Sequence, residues 1–195
     1  MPTGTTILRP NASGAYAPFG WSGSGGGLPN FWWLLCDETP PDGDTSYIYK
    51  AGGRSGYSLM YFEDLLDGET PPPSENVTIK NCTIYMNCRD FAHSFPSTSS
   101  SVAIEVNGWS VFRPTVYNPT GLYTYISSYW ETRYDAGGYR SITVADVNNA
   151  CCDVSCTLGS GVNFRVTQMY VEVNWETNAT VHLKGGTVLG GCLVK

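Results

Sequence analysis

Residues 164–175 read Phe164-Arg165-Val166-Thr167-Gln168-Met169-Tyr170-Val171-Glu172-Val173-Asn174-Trp175. From Gln168 onward, Met169, Val171, Val173 and Trp175 alternate with Gln168, Tyr170, Glu172 and Asn174. In an extended chain successive side chains point to opposite faces, so this stretch reads as a strand with one core side and one polar side. Cys82-Thr83-Ile84-Tyr85-Met86-Asn87-Cys88 repeats the pattern, with its even positions forming an apolar stripe. Val102, Ile104 and Val106 likewise separate from Ala103, Glu105 and Asn107.

Working outward, further strands are expected near 5–8, 31–36, 45–50, 57–62, 77–88, 109–113, 122–131, 139–143 and 180–194. Turn formers punctuate them: Pro40-Pro41-Asp42-Gly43, Asp67-Gly68, Pro71-Pro72-Pro73, Asn118-Pro119, Gly137-Gly138 and Gly185-Gly186. One segment, Thr143 to Ala150, suits a short helix, with Thr143 as N-cap and Asp146 at the capping-box position. It is expected to plug one end of the fold. Many short strands with a single helical turn predict an all-β antiparallel β-sandwich, jelly-roll-like, with one short helix. The predicted organisation is one sandwich over 1–175 and a C-terminal β-hairpin extension over 176–195.

Composition agrees. The 195 residues include 22 Gly, 12 Pro and 26 aromatics, but only four Lys, and charged residues make up 14%. Long soluble helices need more Ala, Glu, Lys and Arg than this, whereas aromatic and β-branched residues suit pleated surfaces. The net charge of −6, with no run of Lys or Arg, excludes the cationic footprint that nucleic acid requires. The longest apolar run, Phe31 to Cys36, is far below the ~20 residues of a spanning helix, so no membrane partner is expected. Met1 to Pro10 has no basic start and no apolar core, so synthesis in a cytosol is expected.

The seven cysteines are Cys36, Cys82, Cys88, Cys151, Cys152, Cys156 and Cys192, an odd count that cannot close within one chain. Cys151-Cys152 followed by Cys156 lacks the paired spacing of a zinc site. Buried thiols are the expectation, ahead of a disulfide and well ahead of zinc.

No nucleophile elbow, dinucleotide-binding glycine pattern or phosphate loop is present. Glu131 with Glu172 is a carboxylate pair that would need to face one another to flank a glycosidic bond. Non-enzymatic action is the reading. Asp37, Glu38, Asp42 and Asp44 crowd one turn and could supply the oxygen ligands Ca²⁺ prefers, without the spacing of an EF-hand; no other cofactor is expected. The alternative is that they order the loop through Asx turns. Among six tryptophans, Trp130 and Trp175 fit core faces. Trp21 and Trp109, flanked by Gly and Ser, are the candidates for contact with a partner or glycan.

An ordered set of segments carries a resemblance. It begins with Leu8-Arg9-Pro10-Asn11, then Cys36-Asp37-Glu38 and Pro41-Asp42-Gly43-Asp44-Thr45-Ser46-Tyr47-Ile48. Val77-Thr78-Ile79, Trp130-Glu131-Thr132, Ala145-Asp146-Val147-Asn148 and Thr167-Gln168-Met169-Tyr170-Val171-Glu172-Val173 follow in order. Over roughly residues 5–175 the chain resembles phage and prophage virion structural proteins. The resemblance implies a jelly-roll-like sandwich located in the virion, a head decoration (cement) protein or a tail-associated component. Its partners would be the major capsid protein or tail proteins and copies of itself, a trimer being expected, and no catalytic residues carry over. Cys82, Cys88, Cys151, Cys152 and Cys156 are unusual for that set, and Glu176 to Lys195 extends past its normal end. The alternative is a tail-associated or secreted carbohydrate-binding β-sandwich.

Overall fold

The computed structural model describes residues 2–13, 21–24, 33–37, 39–40, 45–51, 56–90, 99–106, 109–110, 115–117, 124–135, 138–157 and 163–178. Among these, several strand segments are described in backbone only.

The strands are β1 (Thr3–Leu8), β2 (Pro10–Ser13), β3 (Trp21–Gly23), β4 (Ile48–Ala51), β5 (Gly56–Phe62), β6 (Val77–Asp90) and β7 (Ser99–Val106). They continue with β8 (Trp109–Ser110), β9 (Thr115–Tyr117), β10 (Thr124–Trp130), β11 (Thr132–Asp135), β12 (Gly138–Ser141), β13 (Ala150–Thr157) and β14 (Asn163–Thr177). The helix α1 is Val144–Asn148. Among the described residues these form two six-stranded sheets and the separate hairpin β11–β12. The first sheet runs β10-β6-β14-β4-β3, with β1 also on β14; the second runs β2-β5-β13-β7-β8, with β9 on β7. Every pairing is antiparallel. The chain steps back and forth between sheets, β1 to β2, β4 to β5, β5 to β6, β6 to β7 and β13 to β14, which makes the architecture an all-β, jelly-roll-like sandwich with one short helix.

The core lies between the sheets. β6 sends in Cys82, Ile84, Met86 and Cys88, and β14 sends in Met169, Val171, Val173 and Trp175, as alternation predicts. Leu8 and Ile48 join from the same sheet, and Met60, Phe62, Ala150 and Cys152 close the core from the other. Trp130 and Trp175 are both buried.

Three departures have clear causes. Strict alternation would place Phe164 and Val166 on the polar face with Gln168, yet both are fully buried. A register shift between Val166 and Gln168 leaves Thr167 as an extra residue, and one extra residue exchanges the two faces of a strand. A second shift, opposite Asn174/Trp175, makes Lys80 the extra residue on β6, so Val77 and Ile79 point inward with the even-numbered residues after them. The strand expected at 31–36 is corrected too. Trp33 to Leu35 form a 3₁₀ turn, closed by the Cys36 amide donating to the Trp33 carbonyl at 3.0 Å, and the Cys36 carbonyl accepts from the Met169 amide at 2.8 Å. A short apolar run buries equally well as a turn when its end is pinned against a strand.

The helix forms as its cap predicts. The Thr143 hydroxyl accepts from the Asp146 amide, the Asp146 carboxylate accepts from the Thr143 amide at 3.0 Å, and Val147 is buried. Cys36, Cys82, Cys88, Cys151 and Cys152 carry buried thiols, in line with the expectation. Burial pushes the Cys82 thiol pKa far above its ordinary value, with the Asp146 charge adding to the rise, so this sulfur stays protonated. The side chain of Cys156, Cys192 itself, and the strand expected at 180–194 lie outside the described residues.

Candidate functional site

The outward residues of the first sheet bring together a group of tyrosines. Tyr85 lies opposite Tyr170 and Ser127, while Asn87 lies opposite Gln168 and Tyr125. Thr83 lies opposite Glu172 and Tyr129, and Asn81 opposite Asn174. Three strands thus place Tyr85, Tyr125, Tyr129 and Tyr170 on one face. Their positions between inward core residues force them outward, because Ile84 and Met86 flank Tyr85 and Met169 and Val171 flank Tyr170.

The rings are ordered by one another. Tyr85 and Tyr170 stack at 4.9 Å with 19° between planes, Tyr125 meets Tyr170 edge-on at 6.3 Å, and the Arg9 guanidinium sits 5.5 Å from the Tyr170 centroid. The Tyr125 hydroxyl reaches across β6 to donate to the Gln168 side-chain carbonyl. That span covers Asn87, which is 7% exposed and whose Oδ1 accepts no hydrogen bond. The Tyr129 hydroxyl donates to Glu131 at 2.9 Å, and Tyr125 and Tyr129 remain 46% and 51% exposed.

The polar groups around the rings form a connected floor. Thr5 donates to Asn174 at 2.6 Å, and Asn174 donates to Asn81 at 2.8 Å, continuing across β1, β14 and β6. Charges at the margins are paired: Arg9 Nε meets Glu69 at 3.0 Å, and Lys80 meets Glu176 at 2.9 Å. The phenols of Tyr85, Tyr129 and Tyr170 are held protonated above their ordinary range. For Tyr85 and Tyr170 the main cause is burial, followed by the Glu172 charge; for Tyr129 it is the hydrogen bond to Glu131.

Other candidates are placed as follows. Glu172 lies on β14 and Glu131 in the bend that follows β10, with β6 between those strands, and each is held by its own tyrosine, Tyr85 and Tyr129 respectively. Asp37 is half-buried at the end of the 3₁₀ turn, and burial raises its carboxyl pKa against the lowering effect of its own backbone hydrogen bond and of Arg9. Glu38, Asp42 and Asp44 lie outside the described residues, and among those described no three His, Cys, Asp or Glu side chains converge to hold a metal ion. Trp21 is paired with Lys50 in β3 and Trp109 with Val106 in β8, but their side chains lie outside the described residues. An open groove of about 560 Å³ separates the start of β6 from α1, floored by Val77, Ile79, Ile142 and Val144; its lining has Glu75 as its one carboxylate and offers no histidine or cysteine. Among the described residues no helix is long and apolar enough to cross a membrane.

No protein-family model matches the chain, and no curated protein matches it. Solved structures similar to it at a distance include the following three. A family 16 carbohydrate-binding module is 12% identical with a TM-score of 0.38, the match covering 67% of this chain and 78% of that one. The Eiger TNF from S. frugiperda is 9% identical at 0.28, covering 97% and 100%. The cowpea mosaic virus top component, a naturally occurring empty particle, is 11% identical at 0.25, covering 97% and 88%. The fold class rests on the two sheets themselves.

Proposed function

We propose that this chain is a non-enzymatic virion structural protein that binds and stabilises a phage head lattice, as a decoration protein acting in an oligomer, with a trimer expected. The observation that supports the reading is where four segments of the resemblance fall in the sandwich: at a crossing between the sheets, in the helix, at the turn from β10 to β11, and along the strand that pairs with three others. Leu8-Arg9-Pro10-Asn11 is the crossing from the first sheet to the second, where the Arg9 amide donates to Glu63 at 3.0 Å and its side chain meets Glu69 and Tyr170. In the helix, Asp146 takes two hydrogen bonds from Arg140, at 2.6 and 2.9 Å, and Asn148 accepts from the Leu65 amide at 2.9 Å. Trp130 is buried where β10 turns into β11, and the closing segment forms β14, the strand to which β6, β1 and β4 all pair.

Residues spent on joints hold a shape, and a held shape with few charges suits repeated symmetric contacts with other proteins. The test is to strip the protein from its particles and add the purified chain back. Stripped heads are expected to rupture at lower temperature and to regain stability on addition, with the chain located on the head surface by electron cryomicroscopy. Heads equally stable without it, or a chain that does not reattach, would defeat the cement role; location on the tail would move it to the tail-associated class.

A further inference from the structure

We propose that the tyrosine face of the first sheet binds a neutral polysaccharide, with sugar rings lying against Tyr85, Tyr125 and Tyr129 and their hydroxyls bonded by Glu172, Thr83 and Asn81. This goes beyond attachment to a particle and places the contact on residues other than Trp21 and Trp109.

Shape and chemistry agree on that ligand. A pyranose presents C–H groups on its flat faces and hydroxyls around its edge. The faces suit the negative π-surface of a phenol ring, and the edge suits short polar side chains. Here Ser127 lies opposite Tyr85 and between Tyr125 and Tyr129 along its own strand, so three rings surround a small exposed residue. The ring of Tyr129 is half exposed, and its hydroxyl is already held by Glu131, which fixes its direction before any ligand arrives. A preordered ring loses less freedom on binding. Four strands at ~4.8 Å spacing make the face about 14 Å wide, enough for a short run of sugars.

The same face suits other occupants less well. Polyanions meet Glu172 and Glu131, while the cations at the margins are already engaged, Arg9 by Glu69 and Tyr170 and Lys80 by Glu176. A second copy of the chain would bury the Glu172 charge at the centre of an interface, where charges are depleted. A polyol supplies donors and acceptors at every ring position and leaves none of them unpaired.

The experiment is titration of the purified full chain with a panel of neutral hexasaccharides that includes cellohexaose, mannohexaose and maltohexaose, with polygalacturonate as the anionic control. At least one neutral hexasaccharide is expected to bind and polygalacturonate is not. Tyr129→Ala and Tyr85→Ala should each weaken binding roughly tenfold, the loss of one ring contact. Tyr129→Phe keeps the ring and should hold affinity within about threefold. Tyr129 is an exposed side chain, so its variants are expected to fold, checked by an unchanged thermal transition. Absence of binding across the neutral panel overturns the proposal, as does binding that the tyrosine variants leave unchanged. A face that proves to join two copies, seen as oligomers that dissociate in Tyr129→Ala without any sugar binding, overturns it in favour of self-association. Attachment to a phage head does not enter this measurement, so its failure and that of the virion reading are separately visible.

Discussion

Met169, Val171 and Val173 enter the sandwich, while Tyr170, Glu172 and Asn174, the residues between them, leave it; β6 divides in the same way between Ile84 and Met86 on one side and Tyr85 on the other. The inner face is held by exclusion from water, and its residues are interchangeable with others of like volume. The outer face is held by ring stacking and side-chain hydrogen bonds that solvent competes for, each worth less. One strand thus carries two kinds of specification. The inner one determines whether the chain folds, and the outer one is free to be used for recognition.

The sharpest way to break this contrast is to truncate neighbours on opposite faces. Met169 is fully buried against Met86 in register, with the Cys152 sulfur at 3.9 Å, so Met169→Ala should cost about 2–5 kcal/mol. Tyr170→Ala, one residue on, removes a half-exposed ring stacked on Tyr85 and should cost about 1 kcal/mol. Urea denaturation with an unchanged slope measures both. Equal losses would mean the outer face is structural and not spare.

Next comes β1. A Cβ at Gly4 would lie 2.5 Å from Trp175 Cζ2, and that ring cannot retreat without giving up the hydrogen bond from its Nε1 to Thr6 Oγ1 at 2.9 Å. Gly4→Ala should cost about 1–3 kcal/mol by overpacking. Thr5→Ala, on the outer face, breaks one exposed hydrogen bond to Asn174 and should stay within about 0.5 kcal/mol. The same hydrogen bond separates the two core tryptophans. Trp130 Nε1 is buried without a partner, so Trp175→Phe should cost about 1 kcal/mol more than Trp130→Phe. A reversed order would mean that the volume lost, and not the bond, sets the cost.

The inner face was legible from the chain and the outer one only in part. Cys82 to Cys88 and Met169 to Trp175 announce their buried sides by alternation, and Thr143 with Asp146 announces its helix. Phe164 and Val166 mislead because the bulge at Thr167 carries no composition signal. β13 is hard to read because its consecutive Cys151 and Cys152 are both buried, in a strand paired on both edges by β5 and β7, so alternation fails there. The outward direction of Tyr85 and Tyr170 follows from their apolar neighbours. Their meeting with Tyr125 and Tyr129 depends on which strands pair and in what register, and long-range pairing leaves no mark on a local window.

The smallest expected effect, and the most specific to the outer face, is its response to alkali. Tyr85 and Tyr170 keep their protons above the ordinary phenol range through burial and then Glu172, and Tyr129 does so through its bond to Glu131. In the unfolded chain these phenols titrate near ~10, so above that pH the unfolded state loses protons that the folded state still holds. The folded state then binds more protons than the unfolded one. Stability contributed by the phenols is therefore full below ~10 and falls as pH rises through the folded values. Solvent reaches these groups, so the fall should be shallow. Titration followed by phenolate absorbance resolves the causes. Glu172→Gln should move Tyr85 and Tyr170 toward lower pH and leave Tyr129 in place, and Glu131→Gln should do the reverse. An absorbance curve that neither substitution shifts would mean that the carboxylates do not set the proton affinity of these phenols, leaving burial as the cause at Tyr85 and Tyr170.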